Sequence, residues 1–152
     1  MAILKWSGIV VAALILGLLA LRVLYGLIAN PRVIEEISAN PSGERAGIVM
    51  ALTLPDGRTL PVNYRREDNN VYAGADGRWW RTLRDGNAPV TVLIRGETLS
   101  GRAHVVFDDP AFKADVFSRL RPTVPGWLPA WLDAHLVVIE LDRSETALPS
   151  EP

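Results

Sequence analysis

The 152-residue sequence contains no cysteine. Disulfides, thiolate nucleophiles and cysteine-based zinc or iron–sulfur sites are therefore excluded. Only two histidines are present, His104 and His135, and their spacing matches no metal-ligand pattern, so we predict no metal site. Basic and acidic residues number 16 and 17, and this near balance argues against a broad nucleic-acid surface. We predict no nucleic-acid partner.

Hydrolytic motifs are also missing. Ser100 has no histidine or acid nearby in sequence that could activate it as a nucleophile. Asp108 and Asp109 resemble a carboxylate pair, but helix capping explains Asp109, because Pro110 follows it and proline is favoured at the first helical position. We therefore assign no catalytic residue from the sequence.

A long apolar run is present at the N-terminus. Residues 8–29 contain a single charge, Arg22. At a helical rise of about 1.5 Å per residue, this run matches the ~30 Å hydrocarbon core of a bilayer. We predict that residues 1–30 form a single-pass transmembrane anchor that ends at Asn30-Pro31, since proline and the residue before it disfavour continued helix.

Two other interpretations of this run fit less well. A cleaved signal peptide would place Leu18 or Leu27 where a small residue belongs. A core helix is rarely apolar on all faces in so small a domain. Arg32 and Arg45, beyond the run, favour a cytoplasmic soluble domain, although a periplasmic or extracellular domain stays open.

The rest of the chain predicts a mainly β (α+β) domain. We expect a linker over residues 31–45, a domain over 46–142 and a disordered tail over 143–152. Pro55-Asp56-Gly57 is a strong hairpin signal. The predicted strands cover 46–54, 58–65, 71–75, 90–95, 97–107 and 136–141. Six strands with one clear helix after Asp109 indicate a small antiparallel β-barrel or a strongly twisted sheet with helical caps.

The most informative stretch is residues 71–102. A strand ends at a glycine turn and leads into a short helical segment, an arrangement that exposes backbone N–H groups able to attract phosphate. Arg78, Arg81 and Arg84 add positive charge beside this turn. The pattern suits an anionic, aromatic ligand.

Residues 71–83 and 87–92 resemble the split β-barrel superfamily that binds FMN or the deazaflavin F420. The resemblance is closest to the deazaflavin-dependent nitroreductases, is more distant to the pyridoxamine phosphate oxidases, and covers residues 46–141. It implies a six-stranded split barrel that pairs as a homodimer. It also implies FMN or F420 as cofactor, with the cofactor-binding residues Gly77, Arg78, Trp80, Arg81 and Thr82.

Within this pattern, Arg78 falls where a phosphate-binding arginine is found, and Trp80 matches a tryptophan of the nitroreductases. Thr82 replaces the usual asparagine, and Gly77 replaces a hydroxyl residue of the oxidases. An alternative is that the tryptophans are packing residues and that the arginines pair with Asp76 and Asp85.

Two functions follow from these observations. The first is a membrane-anchored oxidoreductase, dependent on flavin or F420, that acts on a lipophilic acceptor such as a quinone. The second is a cofactor-less, membrane-tethered interaction module of the same fold. Trp127 and Trp131, one helical turn apart, predict either a lid packed on the barrel or a membrane contact.

Overall fold

The computed structural model describes residues 2–121 and 134–142, with side chains described for all of them except 2–10, 12, 22 and 24–29. Two α-helices and six strands make up most of the structure. They are α1 (Ala2–Ala39), β1 (Val49–Thr53), β2 (Thr59–Glu67), β3 (Asn70–Ala75), β4 (Ala88–Ile94), β5 (Glu97–Val106), α2 (Pro110–Leu120) and β6 (His135–Leu141). Two 3-10 helices, Arg45–Gly47 and Arg78–Leu83, lie between them.

The six strands close into an antiparallel barrel in the order β1-β2-β3-β6-β5-β4. The predicted six-stranded antiparallel barrel is thus confirmed, with strand boundaries that differ by a few residues. The hairpin predicted between β1 and β2 is present. Gly57 adopts a φ of 83° there, and Asp56 accepts a hydrogen bond from the backbone N–H of Arg58. Only glycine adopts such a φ without steric cost.

Alternating side chains of the strands fill the barrel interior. This alternation follows from the two-residue period of a strand, which sends successive side chains to opposite faces of the sheet. The inner cluster is almost entirely aliphatic, with tyrosine as its one polar contributor. Its fully buried members include Met50, Leu52, Val71, Leu83, Val92 and Ile139.

Helix α2 covers the outer face of β3 and β6. Its start is as predicted, since Asp109 caps the helix by accepting a 2.9 Å hydrogen bond from the backbone N–H of Phe112. Val116 is fully buried against the outward side chains of Tyr72, Leu136 and Val138. This second apolar layer fixes the C-terminal end of α2 beside the end of β3.

Helix α1 does not end at Asn30, as the sequence predicted, but continues through Pro31 to Ala39. Proline removes one backbone donor from a helix but does not always end it. Here Ile34 and Ile37, beyond the proline, pack with Ala46 and Ala51 against the outside of the barrel. Tertiary packing therefore maintains the helix, and the segment predicted as a linker begins as helix.

In the described part of the chain, no helix combines the length and apolar character that crossing a bilayer requires. This finding gives no support to the transmembrane helix predicted for the N-terminus. Trp127, Trp131 and the tail 143–152 lie outside the described residues.

Pro61 lies in β2, although proline cannot donate a hydrogen bond to a neighbouring strand. On one side it pairs with Ala51 of β1. The ladder to β3 covers only Tyr64 to Glu67, so Pro61 faces no ladder partner on its other side. A residue without an N–H is accommodated at such a local edge.

Candidate functional site

The predicted cofactor residues lie at one end of the barrel. The antiparallel order brings together at this end the last residues of β3 and β5 and the first residues of β4 and β6. We call it the site end. The β4–β5 turn and the start of β3 lie at the opposite end.

The 3-10 helix Arg78–Leu83 crosses the site end. Leu83 is fully buried in the barrel core, and the half-buried Trp79 and Trp80 pack against that core. Gly77 precedes the helix in extended conformation, and a Cβ built there would come no closer than 3.6 Å to Trp79 Cδ1. Glycine is therefore not required sterically at this position.

Trp80 belongs to an aromatic cluster with Phe107 and His135. Its ring centroid lies 4.1 Å from that of His135 and 5.9 Å from that of Phe107. Phe107 remains 49% exposed, although it is a large apolar residue. Because Val106 at the end of β5 pairs with Leu136, Phe107 just after β5 and His135 at the start of β6 lie side by side. The cluster presents a partly open aromatic surface to solvent.

Three arginines lie on the same 3-10 turn or just after it, and two of them contact the Trp80 ring. The guanidinium carbons of Arg81 and Arg84 lie 5.7 and 5.6 Å from the Trp80 ring centroid, within cation–π range. Arg78 is exposed and forms no hydrogen bond or ion pair with the described residues. None of the three has a carboxylate partner within residues 2–121 and 134–142, and this favours a bound anion.

Asp76 does not neutralise these arginines, which was the alternative the sequence left open. Its carboxylate accepts two hydrogen bonds from Arg121, at 2.7 and 2.6 Å. Arg121 thereby ties the end of α2 to the end of β3. Gly74 makes room for this contact, since a Cβ there would lie 2.7 Å from Arg121 Nη2.

His135 has a perturbed titration. Its partial burial, and secondly the positive charge of Lys113, lower its pKa below the ordinary histidine value. The imidazole is therefore neutral near pH 7, with one nitrogen able to donate and the other to accept a hydrogen bond. Of the three rings in the aromatic cluster, His135 is the titratable one, and its centroid lies 4.1 Å from that of Trp80.

Thr82 differs from the other predicted residues. Its hydroxyl donates a 2.8 Å hydrogen bond to the carbonyl oxygen of Trp79, within the 3-10 helix. The proton of this hydroxyl is thus committed to the turn, so Thr82 could offer a ligand only its lone pairs. Gly77, Arg78, Trp80 and Arg81 lie on the same turn.

Sequence reasoning missed Phe107 and His135. Neither belongs to the central stretch of the sequence, and both lie just beyond or at the end of a strand. A prediction that β5 pairs with β6 would have identified them, because this pairing brings Phe107 next to His135. It also places both residues at the end of the barrel where β3 leads into the 3-10 helix.

No protein-family model and no curated protein matches the sequence. A structure described as a candidate pyridoxamine 5'-phosphate oxidase from Listeria innocua matches with a TM-score of 0.52 at 15% identity, covering 73% of this chain and 94% of that one. An FAD-binding protein from Mesorhizobium loti has a TM-score of 0.47 at 18% identity, with 71% and 88% covered. A structure described as an F420 reductase has a TM-score of 0.41 at 16% identity, with 63% of this chain and 87% of that chain covered.

At these identities the similarity establishes the fold alone, and the match to the Listeria protein carries it. The closed six-stranded antiparallel barrel agrees with that match. The chain therefore shares its fold with that Listeria structure, a barrel of the kind that the resemblance of residues 71–83 predicted.

Proposed function

We propose that this chain is a split-barrel oxidoreductase that binds FMN or F420 at the site end and passes a hydride to a lipophilic acceptor such as a quinone. The observation that carries the proposal is the set of arginines at 78, 81 and 84, which have no carboxylate partner in the described part of the chain, on the 3-10 turn that carries the half-exposed aromatic cluster. A flat molecule with a phosphate group matches both features.

The residues present fit such a cofactor. Arg78 is exposed and unpaired among the described residues, so its guanidinium can form two parallel hydrogen bonds to a phosphate. Trp80 and Phe107 offer aromatic faces and edges on which a flat ring could stack. Arg81 would add positive charge beside the same surface.

A bound flavin or F420 would supply the hydride chemistry, and the protein would supply binding and orientation. Arg78 would hold the phosphate, and the aromatic cluster would exclude water from one side of the ring. His135, uncharged near pH 7, could form a neutral hydrogen bond with a ring substituent without competing with Arg78 for the phosphate. No residue is assigned as the general acid.

We further propose that residues 8–29 attach the chain to a lipid bilayer, with the barrel on the cytoplasmic side. Large apolar side chains of α1 are exposed, including Leu14, Leu16, Leu18 and Leu21 at 62, 67, 67 and 65%. Exposed leucine at consecutive turns costs free energy in water, about 25 cal/mol per Å² of apolar surface. Attachment would also bring the barrel near lipophilic acceptors.

Fractionation of cells that express the full chain tests the attachment. We expect the chain to remain with membranes after an alkaline carbonate wash. A matched variant with Leu16→Glu and Leu18→Glu should be released, because charged side chains are costly in the bilayer. Recovery of the unaltered chain in the supernatant would overturn this part of the proposal.

Titration of FMN and of F420 with the full chain, followed by cofactor fluorescence, tests the binding. We expect saturable binding of at least one of them. Arg78→Ala should weaken it by about tenfold or more, the usual effect of losing a charge-assisted hydrogen bond. Arg45→Ala is the matched control, because it removes an exposed arginine that pairs with Glu36 outside the site end.

Failure of both cofactors to bind would favour the second function, a cofactor-less interaction module attached to the membrane. The resemblance also leads us to propose a homodimer with the cofactor at the subunit interface. Light scattering of the purified chain tests this separately, and a monomer at all concentrations would remove the shared site.

A further inference from the structure

A second candidate binding site lies at the opposite end of the barrel. There a cavity of about 610 Å³ opens between the end of β2, the β4–β5 turn and the end of α2. The ladder between β1 and β2 ends at Val49 and Asn63, whereas β2 continues to Glu67. The cavity lies beside this end of β2, which is not paired with β1. Its charged lining consists of Arg65, Arg66, Arg95, Arg119 and Glu97. None of these residues belongs to the site end.

Four guanidinium groups line the cavity, and the carboxylates that pair with them are Glu67, Glu97 and Asp115, so positive charge exceeds negative charge by one among these groups. Arg65 and Arg119 share Glu67, at 2.7 and 2.5 Å, and Arg119 also pairs with Asp115 at 2.7 Å. Arg66 reaches Glu97 at 3.4 Å, a long contact between exposed side chains. The Arg66–Glu97 pair is exposed, and such a pair contributes only about 0–1 kcal/mol. Arg66 is therefore available to an incoming anion.

Two polar groups of the cavity lack partners among the described residues. Arg95 forms no hydrogen bond or ion pair there. Arg119 Nε is buried without a hydrogen-bond partner. Buried N–H groups are rarely left unpaired, and each such case calls for an explanation. A bound anion would supply the missing acceptors.

Arg95 is also held in an unusual backbone conformation. With Gly96 it forms the two-residue turn between β4 and β5, and both residues have positive φ, 49° and 82°. Asparagine or aspartate is favoured at the first position of such a turn, because most other residues are strained there. An arginine at this position is better explained by what its side chain does than by the turn.

Gly47 accommodates that side chain. A Cβ at this position would lie 2.5 Å from Arg95 Nη2, so the guanidinium lies directly against the Gly47 backbone and would have to shift if another residue stood there. Gly47 and Arg95 are 48 positions apart in sequence and come from different elements. The fold thus places a strained arginine over a glycine at the cavity wall.

We propose that this cavity binds a phosphate-bearing anion through Arg95 and its neighbouring arginines. Phosphate matches several guanidinium groups at once, because each can donate two parallel hydrogen bonds to its oxygens. The volume exceeds that of phosphate alone and lies in the range of small-molecule sites. Ile48, Ile94 and Leu120 on the lining would contact the organic part of the ligand.

The ligand could be a soluble phosphate ester or the headgroup of an anionic lipid. A second cavity shares Ile48 with this one and is lined by Glu36 and Ile37 of α1. The anion site therefore lies close to the C-terminal end of α1, the helix that we propose to attach the chain to a bilayer. Both sources present the same phosphate chemistry, so the experiment separates them.

Calorimetric titration of the full chain, in a non-ionic detergent, with pyrophosphate and with glycerol 1-phosphate tests the site. We expect binding that weakens as salt is raised. Arg95→Asn should reduce affinity by about tenfold or more while keeping the turn, since asparagine suits positive φ. Its melting temperature should be no lower than that of the unaltered chain. Arg58→Ala, which removes a paired arginine from the β1–β2 hairpin, is the charge-matched control.

The lipid arm uses phosphatidylcholine vesicles with and without phosphatidic acid. If the headgroup is the ligand, phosphatidic acid should strengthen binding of the unaltered chain and of Arg58→Ala, but not of Arg95→Asn. If a soluble ester is the ligand, only the calorimetric arm should respond to Arg95→Asn. Equal behaviour of the folded Arg95→Asn variant and the unaltered chain in both arms would overturn the proposal.

The outcome is independent of the proposed cofactor site. Arg78 lies at the site end and does not line this cavity. Arg78→Ala should therefore retain the pyrophosphate binding that Arg95→Asn weakens, and Arg95→Asn should retain the FMN or F420 binding that Arg78→Ala weakens. Loss of pyrophosphate binding in Arg78→Ala would show that the anion binds at the site end and would contradict a second site.

Discussion

Replacing Gly101 by alanine should destabilise the barrel, because β5 passes very close to β6 at this residue. A Cβ at Gly101 would lie 2.6 Å from the carbonyl oxygen of Glu140 and 3.1 Å from Ile139 Cγ2. Gly101 pairs directly with Leu141 in the ladder between the two strands. The first clash is with backbone, so no side-chain rotation relieves it and the strands must separate.

The magnitude follows from two opposing effects. Overpacking in a buried site costs about 1–3 kcal/mol. Alanine also lowers the conformational entropy of the unfolded chain, which stabilises the folded state by about 0.4–1 kcal/mol. We therefore expect a net loss of about 1–2 kcal/mol, which corresponds to a drop of roughly 2–8 °C in the melting temperature of a chain of this size.

Thermal and urea unfolding of the full chain, followed by tryptophan fluorescence, measures this change. Gly77→Ala is the matched control, since its Cβ would meet nothing closer than 3.6 Å and its φ of -111° suits alanine. The control should be neutral or slightly stabilised. A Gly101→Ala variant as stable as the control would refute the close approach of β5 to β6.

Three further predictions concern single residues. Because folding lowers the pKa of His135, the unfolded chain binds a proton before the folded chain does as the pH falls. The free energy of unfolding should therefore be highest above about pH 6.5 and should fall as the pH drops towards the pKa of His135 in the folded chain. His135→Phe should flatten the dependence of the urea midpoint on pH in that window. Asp109→Ala should cost about 1 kcal/mol of unfolding free energy, because the cap of α2 is lost. Asp76→Asn should leave Arg121 without its charged partner and destabilise the chain in low salt more than in high salt, since salt screens the ion pair.

Features determined by local chemistry could be predicted from the sequence. The Pro55-Asp56-Gly57 turn and the Asp109 cap depend on a few adjacent residues, and both are present. The strands followed from alternation of apolar residues and from glycine and proline at their ends.

Features that depend on long-range packing could not be predicted. Helix α1 continues past Pro31 because Ile34 and Ile37 reach the barrel, and no local signal carries that information. The contact of Trp80 with His135 joins residues 55 positions apart and depends on the pairing of β6 with β5. The alternative that Asp76 pairs with Arg78, Arg81 or Arg84 could not be decided from the sequence for the same reason, since Asp76 binds Arg121 at the end of a distant helix.

The cavity at the opposite end was not foreseen either. Gly96 lies between the predicted strands 90–95 and 97–107, and the structure has a turn there. The sequence gives no indication that the neighbouring Arg95 would have positive φ and lie over Gly47. The tertiary approach of these two residues, and not the propensity of either, creates the basic wall.

Hydrogen exchange followed by mass spectrometry, with and without saturating FMN or F420, tests most directly whether the site end holds the cofactor. We predict slower exchange of the amides in residues 77–84 and no change in residues 93–98 of the β4–β5 turn. Unchanged exchange over 77–84 at a ligand concentration that saturates binding would contradict a cofactor site at the site end.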